Sequence, residues 1–149
     1  MTLDLIFHLL FRFVHIASVI LFLGGLVYAR WVLTPALESV PEDARIKAAA
    51  EAQRRFRSVL FTLLFLIAIS GLYNFLAGPK HGSTYHIWFG IKVLLVAHIT
   101  AASVLWATMP YGEVNAAGKA KYRTLSIIVS GFLVVFISVY LRSLTLRGP

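Results

Sequence analysis

Four stretches of this chain are apolar for long enough to cross a lipid bilayer, and that fixes what it can fold into. They cover residues 5–31, 59–76, 86–109 and 125–144. At about 1.5 Å per residue, about 20 helical residues cross a hydrocarbon core roughly 30 Å thick. Hydrocarbon offers no water to a backbone N–H or C=O, so runs of this kind must be helical. Short connections and alternating direction predict an all-α, integral membrane, up-down-up-down four-helix bundle. The spans use up most of the 149 residues, which leaves one membrane domain over 1–149 and no soluble one. Residues 5–27 read as the first span rather than a cleavable signal, because Asp4 stands where a basic segment belongs and the run is too long.

The net charge of +8 is a matter of topology, not of nucleic acid. The first connection and its flanks hold Arg30, Arg45, Lys47, Arg54, Arg55 and Arg57, and the third holds Lys119, Lys121 and Arg123. The opposite side has Lys80, Arg142 and Arg147. The positive-inside rule then puts both basic connections in the cytoplasm and both termini outside. Span one is expected to end at Tyr28, Arg30 and Trp31, an aromatic–basic interface anchor. Pro35 and Pro41 break the pattern over 34–44, and the Ala-rich segment 45–57 extends span two on the cytoplasmic side. Gly78–Pro79 ends span two, Pro110 ends span three, and residues 111–121 with Gly112 and Gly118 read as a loop.

Polar residues inside the spans are the candidate functional groups, since each is costly in hydrocarbon unless something satisfies it. His15 lies roughly 13 Å below the start of span one, and His98 roughly 18 Å from the His86 end of span three. At about 100° per residue, Asp4, His8, Phe11, Arg12, His15, Val19, Phe22 and Leu26 form one stripe, which should look into the bundle. His15 and His98 lie at similar depth, so two imidazoles from facing helices can approach one metal, most often haem iron. Lys92 sits about 120° from His98 around its helix, so the two flank one face without aiming at one atom. Arg12 and Lys92 would orient a cofactor or meet its propionates, and His8 is a further metal candidate on the span-one stripe. An interhelical hydrogen bond is the plain alternative for His15, and snorkelling for His8, Arg12 and Lys92.

Small residues recur as well. Thr124, Gly131 and Ser138 repeat along span four, and Ser70, Gly71 and Asn74 cluster on span two, both consistent with close helix packing. Gly24 and Gly25 would give a flat cofactor room beside the backbone. No cysteine occurs, and the methionines are Met1 and Met109, so thiolate and thioether metal sites are excluded or nearly so.

Two segments carry a resemblance. VHIASVILFLGGLVYAR, over 14–30, resembles the first helix of a superfamily of small bacterial membrane proteins. That superfamily includes the copper-resistance protein D family and the HemJ-type protoporphyrinogen oxidases. Arg54-Arg55-Phe56-Arg57 through Ser70-Gly71-Leu72-Tyr73-Asn74 is similar to the copper-resistance D pattern of a basic-Phe entry and a Gly-x-x-Asn exit. Trp88 with Lys92 resembles the aromatic-x-x-x-Lys start of the third helix in both families. The oxidase branch implies haem b, with His15 and Lys92 as its important residues, and the copper branch implies copper handling. The oxidase pattern's further His after the first-helix basic residue, and its Tyr-His near the end of helix three, are not at those places here.

The expectation is a haem b-binding bacterial inner-membrane protein that passes electrons within or to a membrane redox system. His15 and His98 would be axial ligands, with a quinone or membrane redox partner. Copper handling through His8 and His15 is the first rival. A cofactor-free structural subunit of a larger complex, or a homo-oligomer, is the second. Oxidation of a porphyrinogen is the enzymatic possibility.

Overall fold

A computed structural model describes residues 3–77, 83–108 and 114–146, with side chains over 122–144 in the last segment. The described residues are helical and contain no strand. Helix α1 covers Leu3–Tyr28, a π-helical turn covers Ala29–Leu33, α2 covers Thr34–Glu38 and α3 covers Glu42–Leu76. Helix α4 covers Ser83–Thr108 and α5 covers Val114–Leu146. Four helical runs are long and apolar enough to cross a membrane: Leu3–Glu38, Glu42–Leu76, Ser83–Thr108 and Tyr122–Leu144.

The chain divides into two compact units, Met1–Pro79 and Lys80–Pro149. In the first, α1 and α3 run antiparallel: Gly25 meets Phe56, while His15 meets Ser70 and Phe11 meets Tyr73. Its buried residues include Ser18, Phe22 and Leu26 from α1, and Leu60, Leu63 and Ser70 from α3. In the second, α4 and α5 are likewise antiparallel, with Trp88 edge-on to Tyr140 and His98 bonded to Ser126. There the buried set includes Ile99, Ala102 and Ser103 with Ile127, Ile128 and Ile137.

What is outside matters as much. Phe13, Leu94 and Phe136 are 69%, 72% and 71% exposed, while Ser18, Ser70, Ser103, Thr124 and Ser130 are buried. Large apolar side chains outward and small polar ones inward is the arrangement that suits helices whose solvent is lipid.

The helix of span one continues past Trp31. Pro35 has no N–H to give to an α-helical partner, and its ring would crowd the carbonyl a turn earlier. The helix accommodates it by widening for one turn. The Thr34 N–H donates to Ala29 O five residues back, and Thr34 Oγ1 donates to the same oxygen at 2.7 Å. The α-helix then resumes to Glu38. The true break is at Pro41, in extended backbone (φ −50°, ψ 146°), where its carbonyl accepts from the Arg45 N–H at 2.8 Å. Glu42 and Asp43 follow in the first turn of α3, where negative charge complements the helix dipole. At 35 residues α3 is about 52 Å long, well beyond a hydrocarbon core, so its charged first half extends past its apolar second half as the sequence suggests.

A second correction falls on the third connection. Residues 114–121 belong to α5 rather than to a loop, because Gly118 does not prevent the helix from starting at Val114. Gly78–Pro79, His81, Pro110 and Gly112 lie outside the described residues.

Candidate functional site

The best-defined polar site is in the first unit, around His15. Three consecutive features of α3 create it. Ser70 sits where its hydroxyl donates back to the Leu66 carbonyl in its own helix. That spends its one proton and leaves its lone pairs facing α1. The next residue is Gly71, and a Cβ built there would stand 3.0 Å from His15 Cε1 and 3.5 Å from Nδ1. The missing side chain is what lets the imidazole lie against the α3 backbone. One turn on, Asn74 Nδ2 donates at 3.5 Å to the Phe11 carbonyl of α1. Phe11 itself stacks on Tyr73 with ring centroids 4.1 Å apart, and His8 meets the edge of Tyr73 at 6.0 Å.

The hydrogen bonds fix the tautomer of His15. Its Nδ1 is 3.2 Å from Ile67 O and 3.0 Å from Ser70 Oγ. A carbonyl oxygen can only accept, and the Ser70 proton already goes to Leu66, so Nδ1 carries the hydrogen and donates to both. The ring's lone pair is therefore on Nε2. Half-buried on α1, His15 meets two acceptors on α3 and the close wall of Gly71.

The rest of the span-one stripe divides. Phe11, His15, Phe22 and Leu26 lie along α3 or are buried, whereas Asp4, His8 and Arg12 are exposed. The stripe is too broad for one partner helix, so its charged members sit at the margin rather than inside. Gly25 also corrects an expectation. A Cβ there would come within 2.8 Å of the Phe56 ring, so the space it leaves is filled by an aromatic side chain of α3. Gly24 faces nothing within 4 Å.

In the second unit, His98 is exposed and its Nε2 pairs with Ser126 Oγ at 2.9 Å, joining α4 to α5. Lys92 is half-buried on α4. His86 is exposed and meets the Tyr85 ring edge at 6.1 Å. Thr124 and Gly131 are buried, and Ser138 donates to Val134 O at 2.6 Å. The small residues of α5 thus line its inner face. Ser103 Oγ is buried without a hydrogen-bond partner among the described residues.

No group of three or more His, Asp or Glu side chains is gathered as a metal cage among the described residues. A haem needs one or two axial ligands and no such cage. What sequence reasoning missed was the pairing of Ser70 and Gly71 with His15. Small residues were visible there, but not which helix would press against them. Comparison of the chain with protein-family models, with curated proteins and with solved structures finds no match.

Proposed function

We propose that this chain is an integral membrane protein of four spans that binds haem b through His15 and passes electrons in or to a membrane redox system. The single observation that carries the reading is the double donation from His15 Nδ1 to Ile67 O and Ser70 Oγ. Metal-ligating histidines almost always give their other ring N–H to a carbonyl, carboxylate or water, which fixes the ring and makes the ligating nitrogen more basic. The resemblance of 14–30 to the first helix of haem-binding and copper-handling membrane proteins supports the same residue. The inverted surface supports the membrane, and the basic flanks support a bacterial inner membrane with both termini outside.

At His15, Nε2 would be the nitrogen offered to the haem iron. When bound, haem would supply a one-electron couple. Ile67 and Ser70 then hold the ring's orientation, and Gly71 sets how close it lies to α3. Arg12, on the same helix, would pair with a propionate or a quinone head group, and positive charge there would raise a reduction potential. In the second unit, His98 would ligate a metal through Nε2 only by giving up Ser126.

That same bond favours a second reading, a cofactor-free subunit of a larger complex in which both histidines act as interhelical polar links. Copper held by His8 and His15, and porphyrinogen oxidation, are the remaining rivals. A reduced-minus-oxidised spectrum of detergent-purified protein, beside His15→Ala, tests the haem reading, and a copper titration then separates copper handling from a cofactor-free subunit. The haem reading expects a Soret shift and a sharp α band that disappear in the variant. Colourless wild type, even after expression with excess haem, overturns it.

A further inference from the structure

Arg30 lies in the π-helical turn, and its Nε is buried without a hydrogen-bond partner among the described residues. A guanidinium donor left without an acceptor is unfavourable, and Arg30 as a residue is only half-buried, so a turn of its side chain brings the guanidinium fork to an acceptor outside the chain. The obvious internal one is taken. The antiparallel register that sets Gly25 against Phe56 brings Arg30 level with the 51–55 turn of α3, where the acid is Glu51. Glu51 Oε1 accepts from Arg54 Nη2 at 3.0 Å and Arg55 Nε at 2.7 Å, and Oε2 accepts from Arg54 Nε at 2.9 Å. Arg57 adds a further exposed positive charge on the same turn.

The depth of the site names the anion. Tyr28 and Trp31, on either side of Arg30, are 57% and 53% exposed. Exposed Tyr and Trp flanking a basic residue at the end of an apolar span mark the head-group level of a bilayer. The anionic group abundant at that level is a lipid phosphodiester, and arginine matches it with a fork of parallel N–H donors.

We propose that Arg30 seats the phosphate of one anionic phospholipid at the π-helical end of the α1–α3 pair. The site rests on the membrane reading but is independent of haem. The widened turn at Pro35 sets the backbone that carries Arg30, while Glu51 is already occupied by Arg54 and Arg55.

Carbonate washing of membranes comes first: release of the protein by the wash would sink the membrane reading, and the lipid site with it. For retained protein, native mass spectrometry from mixed phosphatidylglycerol and phosphatidylethanolamine nanodiscs should show one phosphatidylglycerol that survives activation. Arg30→Gln should lose it, with affinity down roughly ten-fold or more, as expected for one charge-assisted contact. Arg142→Gln, at an exposed arginine outside this site, should keep it. Equal retention by Arg30→Gln overturns the site. Wild type in detergent should also melt higher with phosphatidylglycerol than with phosphatidylcholine. Equal melting in the two lipids overturns the proposal without any variant, and equal stabilisation by inorganic phosphate overturns the lipid as the source of the anion.

Discussion

His15 was legible in the sequence because a polar residue deep in an apolar run has few inexpensive fates. Its partners were not, since the pairing of Ser70 and Gly71 with it depends on the depth and rotation at which two helices meet. Glycine is the ambiguous letter: Gly24, Gly25 and Gly71 look alike in sequence, yet one faces open space, one an aromatic ring and one the imidazole. This difference is testable. Gly24→Ala should be neutral or stabilising by up to about 1 kcal/mol, the helix-propensity gain. Gly25→Ala and Gly71→Ala should each destabilise by roughly 1–3 kcal/mol, the usual cost of overpacking. Thermal melting of the three variants in one detergent checks the order, and a Gly71→Ala protein as stable as Gly24→Ala would remove the close contact with His15. Ser70→Ala should cost less, about 1 kcal/mol, because Ile67 O still accepts from Nδ1.

Among the elements, α3 is the most informative, because it carries charge on one half and apolar surface on the other. The exposed Glu51 carboxyl is lowered from 4.5 to about 2, first by the hydrogen bond from Arg54 and then by that from Arg55. A folded-state pKa below the unfolded one means that the clasp stabilises fully above the unfolded carboxylate value. Its contribution is lost as pH falls through the window from 4.5 toward about 2. Carboxyl carbon shifts of Glu51 followed by NMR should show that low midpoint. Arg54→Gln should move it upward more than Arg55→Gln does, and high salt should narrow the difference, as for any exposed pair. The π-helical turn was not legible, because Pro35 reads as a stop wherever the helix cannot be seen to widen. The start of α5 was hidden for a related reason: Gly118 lowers helix propensity without forbidding a helix.

For the whole molecule, the four spans were legible because hydropathy and length are enough to define them, while side-chain links between helices are not written in hydropathy. The absence of cysteine makes the topology directly measurable. A single Ser39→Cys, in the stretch between α2 and α3, should react with an impermeant maleimide only from the cytoplasmic side. Ser83→Cys, at the start of α4, should react only from the outside. The reverse pattern would turn the protein over in the membrane. The bond from His15 to Ser70 joins residues 55 apart in sequence, whereas that from His98 to Ser126 joins residues 28 apart. At about 5–20 residues per second, the ribosome leaves His15 without its acceptors for roughly 3–11 s after it is made. For that interval the imidazole stands without its α3 acceptors, and the insertion machinery or a lipid could take their place until α3 arrives.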